Sequence, residues 1–284
     1  MKAALNLLWI SPLIILFVRI QVVAQSGRTF NDSSKVYYTK PKLEIPIYLM
    51  IIGGASLGYK QTDKLAALDA SGAAALNPET INAFDRQVAY YNPANFPEAQ
   101  HISDALLTIF VASPSLLLLD RKIRSDWQNF ITVFLSAHAT DNVFYFSSVA
   151  SIRRPRPLAY NPYVKLGDKV GDSKTNSFFS GHVTWVATST FFMAKVYSDY
   201  HNIRGWKRVL LFVGASIPPA VVGYYRMEAG KHFPSDVLTG FVVGGASGIL
   251  LPVLHSKKKE ALRLSVAPFT SFGSNGFSVT YAFK

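Results

Sequence analysis

The sequence predicts an all-α, membrane-associated bundle of about six helices, with a small β-hairpin at its C-terminal end. Three observations lead there. Hydrophobic residues make up 49% of the chain and charged residues only 16%. That balance leans toward the membrane, although the mean hydropathy of +0.19 is modest. Six apolar segments follow one another at 45–59, 103–119, 127–150, 182–198, 209–224 and 236–254, most of them too long for strands. Beyond residue 262 the pattern changes to alternation of apolar with polar or small residues, the period of a strand.

Residues 1–24, MKAALNLLWISPLIILFVRIQVVA, place Lys2 ahead of an apolar stretch that ends in Val22-Val23-Ala24. They read as a secretory leader cleaved after Ala24 or, uncleaved and with Arg19 near its end, as an N-terminal anchor. Either sends the protein to the cell envelope. Residues 25–102 are expected to form an N-terminal segment, with the first apolar helix at 45–59 and a polar insert at 60–102. As a helix the 45–59 run rises only about 22 Å, short of a hydrocarbon core of about 30 Å. The insert, punctuated by Pro78, Pro93 and Pro97, is expected to lie as short turns over one end of the bundle and to hold no chemistry. A bundle core is expected over 103–255. Its 127–150 run carries His138, Asp141 and Asn142 at mid-length, and such groups must face the interior, where polar packing accounts for them. From 256 to 284 a basic linker leads into two alternating runs flanking Gly273-Ser274-Asn275-Gly276, a turn sequence.

Charge narrows the partners. The formal net charge is +12, which suits lipid headgroups or phosphorylated substrates. The basic residues lie in separate short loops with no basic helix or base-stacking motif, so nucleic acid is not an expected partner. Cysteine is absent, which excludes disulfides and thiolate-metal sites.

Three polar clusters interrupt the apolar runs: SIRRPRP at 151–157, NSFFSGH at 176–182, and Arg226…His232…Asp236. The third run exits at the first cluster, the fourth enters at the second, and the third cluster joins the fifth run to the sixth. In an alternating bundle all three therefore share one face. Ser180, Gly181 and the amides of a helix start make an anion site, and Arg156 and Arg226 supply planar forks for phosphate oxygens. Asp236 close to His232 is placed to orient an imidazole that attacks phosphorus, while His182 is available to protonate the leaving oxygen. These parts suffice for phosphoryl transfer without a metal or other cofactor.

With these residues in place the chain resembles the type 2 phosphatidic acid phosphatases, whose superfamily includes bacterial acid phosphatases and vanadium haloperoxidases. The family pattern is Lys-x6-Arg-Pro, Pro-Ser-Gly-His and Ser-Arg-x5-His-x3-Asp. The sequence has Arg156-Pro157, Phe179-Ser180-Gly181-His182, and Tyr225-Arg226 with His232 and Asp236 at the family spacing. The resemblance covers roughly residues 100–255. It implies a phosphohistidine at His232, an orienting Asp236 and a general acid at His182. Arg156, Arg226, Ser180 and Gly181 would then hold the phosphoryl oxygens. Three positions depart from the pattern: Val149 stands where the lysine would be, Phe179 replaces the proline and Tyr225 the serine. Arg153 or Arg154 is the expected substitute cation, with Arg154 counted among the phosphate-binding residues.

The expected activity is hydrolysis of a phosphomonoester or diphosphate, of a lipid such as phosphatidic acid, an isoprenoid diphosphate or lipid A. The alternatives are a vanadate-dependent haloperoxidase, disfavoured by the missing lysine, and a non-catalytic envelope protein that binds anionic lipid. Arg121, Lys122, Arg124, Arg204, Lys207, Arg208 and Lys257 to Lys259 lie in loops opposite the catalytic face. The positive-inside tendency then turns the site toward the periplasm. Counting crossings gives the reverse if 45–59 spans fully, and the charge evidence is preferred because that run is the shortest.

Overall fold

The computed structural model describes residues 35–256 together with the backbone of 264–271 and 274–281. The expected leader, the bounds of the cleavage site and Lys257 to Lys259 lie outside the described residues. Eleven α-helices occur among the described residues. Six are long, and we label these in chain order: α1 Pro41–Leu65, α2 Phe96–Ala112, α3 Trp127–Ser151, α4 Gly181–Tyr200, α5 Gly205–Glu228 and α6 Pro234–His255.

Two boundaries differ from expectation. Helix α1 is 25 residues long, about 37 Å, because Lys60 to Lys64 continue it. Long polar side chains are good helix formers whose heads reach water, so the end of the apolar run does not end the helix. Helix α2 begins at Phe96, inside the stretch expected to be loop, with Pro97 in its first turn, where the missing N–H costs nothing. The division expected at residue 102 therefore falls within a helix. A 3₁₀ turn, Ser113–Leu119, carries α2 onward.

Among the described residues, three segments are long and apolar enough to cross a membrane: Pro93–Leu119, Gly205–Glu228 and Pro234–His255. Helix α4 is different, for most of it is buried inside the bundle. Its closest neighbour is α6, and small residues explain how. A Cβ on Gly240, Gly244 or Gly248 would stand 2.6, 2.2 and 2.5 Å from the carbonyl oxygens of Ser180, Thr184 and Thr188. Only glycine allows this approach, and the Thr188 hydroxyl uses it to donate to the Gly244 carbonyl at 3.1 Å.

His138, Asp141 and Asn142 are buried between helices. His138 Nε2 meets Ser189 Oγ at 3.1 Å, Thr188 donates to Asp141, and Asn142 donates to the His138 carbonyl at 2.7 Å. They form an interior polar seam, as buried polar groups require. In the C-terminal stretch Leu264–Ser271 and Ser274–Tyr281 run as two antiparallel strands. Asn275 and Gly276, expected in the turn, instead pair with Thr270 and Phe269.

Candidate active site

Hydrogen bonds tie the three polar clusters together at one end of the bundle. The Arg156 amide donates to the Lys174 carbonyl at 2.9 Å and Ser177 N to the Arg154 carbonyl at 3.1 Å. Leu158 N donates to the Gly230 carbonyl at 3.0 Å, and Ser180 N to the Asp236 carbonyl at 3.1 Å. The shared face read from connectivity is thus a set of backbone contacts.

At the start of α4, Ser180 occupies the N-cap position without capping. Its hydroxyl is buried and has no partner, so both it and the first amides of the helix remain available to an anion. Across from it, buried Arg226 leaves Nε without a partner. Its Nη1 lies 3.3 Å from Ser103 Oγ and 3.5 Å from Asp104 Oδ1. Arg156 is buried and donates through Nε to Asn176 Oδ1 at 2.9 Å. Orphaned donors inside a protein are costly, and here two of them, Ser180 Oγ and Arg226 Nε, belong to the same end of the bundle.

His232 lies in the short connection between α5 and α6, buried, with Nδ1 2.6 Å from the Ser177 carbonyl. A carbonyl oxygen only accepts, so Nδ1 carries the proton and Nε2 keeps its lone pair. Burial, together with the guanidiniums of Arg226 and Arg156, pushes the ring well below the ordinary histidine range. It is therefore neutral at neutral pH.

The orienting group differs from expectation. Asp236 accepts from Ser177 Oγ at 2.6 Å and from Phe233 N at 2.8 Å, and its other oxygen receives Arg154 Nη1 at 2.5 Å. It therefore acts on His232 through Ser177: the carboxylate holds the Ser177 hydroxyl, and the Ser177 carbonyl holds the ring. The physical reason is its place in the first turn of α6, where its own helix start engages it through Phe233 N.

Arg154 is also placed differently. Its Nη1 goes to Asp236 and to Ser235 Oγ at 2.8 Å, its Nη2 to Asp85 Oδ2 at 2.7 Å, and its guanidinium lies 4.3 Å over the Phe233 ring. Two carboxylates thus hold it, where phosphate was the expected partner, and Arg153 is exposed. Val149 itself is buried against Tyr145 and Phe179, so two of the departures from the family pattern pack as one apolar contact.

His182 Nε2 lies 2.8 Å from Asp104 Oδ1. Burial and the charge of Arg226 push its pKa down to about 4, against the raising effect of the Asp104 hydrogen bond.

Asp104 and Asp85 escaped the sequence reading. Asp104 had a faint signal, a carboxylate near the start of an apolar run. Asp85 had none, because its partners Arg154 and Ser235 lie 69 and 150 residues away. Buried Asp85 accepts from Ser235 N at 2.9 Å and from Asn82 Nδ2 at 2.9 Å as well, so the polar insert does contribute to this face.

No curated protein sequence matches the chain. Among solved structures, a transmembrane PAP2 type phosphatidylglycerolphosphate phosphatase from Bacillus subtilis is similar at 19% identity, with a TM-score of 0.38, over 75% of this chain and 94% of that one. Residues 130–260, which carry all three polar clusters, match the PAP2 superfamily, so the chain carries a PAP2 superfamily domain.

Proposed function

We propose that the protein is a metal-independent phosphatase that hydrolyses a lipid phosphate or diphosphate through a phosphohistidine at His232. The observation that carries the reading is that unpartnered Ser180 Oγ and Arg226 Nε belong to the same end of the bundle as a histidine whose Nδ1 is fixed by the Ser177 carbonyl. In this reading Arg156, Arg226, Ser180 and the Gly181 amide hold the phosphoryl oxygens. His232 Nε2 attacks phosphorus, the bond to the leaving oxygen breaks with its electron pair, and His182 gives that oxygen a proton. A phosphate dianion beside Arg226 offsets the positive charge that depresses His182, which favours its protonation once substrate is bound. Water then attacks the phosphohistidine, His182 takes its proton, and inorganic phosphate leaves. Asp236, Ser177 and Arg154 position rather than react.

A lipid substrate is supported by the candidate spans, which bring the site close to a bilayer surface. The basic turn Arg121–Arg124 and Arg204, Lys207 and Arg208 lie at the other end of the bundle, which favours a periplasmic site. Reporters fused after Tyr59 and within 160–175 would decide the orientation.

The test is phosphate release from phosphatidic acid, an isoprenoid diphosphate and lipid A, by the parent and by His232→Ala. The parent should release phosphate and incorporate acid-labile label from a labelled substrate. The variant should lose at least about 10⁴-fold of the rate. Equal release by both would overturn the reading.

A further inference from the structure

Lys231 stands out among the cations of this face. Helix α5 ends in a turn closed by Gly230, at φ +64, with Gly230 N donating to the Met227 carbonyl at 2.9 Å and Lys231 N to the Arg226 carbonyl at 3.1 Å. This αL termination folds the chain back so that the Lys231 backbone bonds to Arg226, and Lys231 immediately precedes His232. The side chain is half-buried and makes no hydrogen bond or ion pair among the described residues. It lines, with Phe96, Gln100, His101 and Leu158, an open recess of about 330 Å³. Burial, then the charges of Arg156, Arg226 and Lys174, push its pKa down to about 7, with Asp104 acting the other way.

Asp104, the carboxylate that acts on Lys231, already pairs with Arg226 and His182, so Arg156, Arg226 and Lys231 keep a net positive charge that suits an anion. The expected cation position at 149 is filled by an apolar contact, and Arg154 is held by Asp85 and Asp236. We propose that Lys231 is a further phosphate-binding residue of this site, its ammonium contacting a non-bridging oxygen of the phosphoryl group held by Arg156 and Arg226. The inference rests on the phosphatase reading above and deepens it. It carries a pH signature. In the free protein the ammonium loses its proton near neutrality, so kcat/KM falls as pH rises beyond about 7, whereas an arginine at 231 stays charged.

The test compares the full-length parent with Lys231→Gln and Lys231→Arg, and uses His232→Ala as the control for the reaction itself. Lys231→Gln should lower kcat/KM by about 100-fold. Lys231→Arg should stay within about tenfold of the parent and carry the falling limb of the pH profile above about pH 9. Binding of inorganic phosphate, measured by calorimetry, should weaken at least about tenfold in Lys231→Gln while thermal stability is unchanged. The assignment is overturned if Lys231→Gln keeps phosphate affinity and kcat/KM within about threefold of the parent, or if the limb near pH 7 persists in Lys231→Arg. If the parent binds phosphate but turns nothing over, the phosphatase reading fails and the affinity comparison alone decides Lys231. If the parent neither binds nor hydrolyses, both fail.

Discussion

Two regions meet at the active end of this bundle with opposite charges and opposite states of pairing. The segment 130–260 brings Arg156, Arg226 and Lys231, together with donors such as Ser180 Oγ that have no partner. The stretch before it brings Asp85 and Asp104, and these are engaged: Asp85 with Arg154 and Ser235, Asp104 with His182 and Arg226. The difference separates reacting from supporting roles. A group meant for a ligand must be kept from satisfying itself within the protein, whereas a group that aims another must be satisfied there. Arg154 and Arg156 illustrate this two residues apart, one clamped between carboxylates and the other holding only a neutral amide.

The comparison can be broken from either side. The largest effect belongs to the open region: Arg156→Ala should lower kcat/KM for phosphate release by about 10²- to 10³-fold without loss of thermal stability. A fall of less than about tenfold would place Arg156 among the supports instead. Next comes Asp104→Asn, which keeps an acceptor for His182 but removes the charge. It should lower kcat by about 10- to 100-fold. Since the Asp104 carboxylate raises the His182 pKa, the limb of the kcat profile set by His182 should move to lower pH; an unmoved limb would remove Asp104 from proton transfer. The smallest effect on activity is expected at Asp85→Ala, less than about tenfold, because Asp236 still holds Arg154. Stability is the sharper readout there. Arg154 is partly exposed, so losing one of its two carboxylates should cost about 2 kcal/mol, visible as a lowered melting temperature of the detergent-solubilised protein. An unchanged melting temperature with a large loss of activity would reverse the two roles.

Legibility followed the same division. The candidate anion-binding residues were readable because chemistry demands particular residue types at helix ends, and connectivity alone put those ends on one face. The supporting carboxylates were not. Asp85 finds Arg154 and Ser235 across the folded molecule, and nothing in the local pattern at 82–86 announces it. The first apolar run was legible as a helix but not in its length, since helix propensity continues through Lys60 to Lys64 after hydrophobicity stops. Lys231 carried no signal in the sequence, because its burial and its lack of an ion pair among the described residues depend on where Gly230 turns the chain.

The sequence by itself determined the class of fold, the order of the helices and the candidate residues of the proposed phosphoryl site. Those follow from local periodicity and from the chemistry of single side chains. The tertiary structure decided which of those side chains are left unpaired. It gave Arg154 to Asp85 and Asp236 and hung His232 from the Ser177 carbonyl. It left Lys231 half-buried, with no hydrogen bond or ion pair from its side chain among the described residues. Pairing is a matter of distance and burial, and only the packed chain sets those.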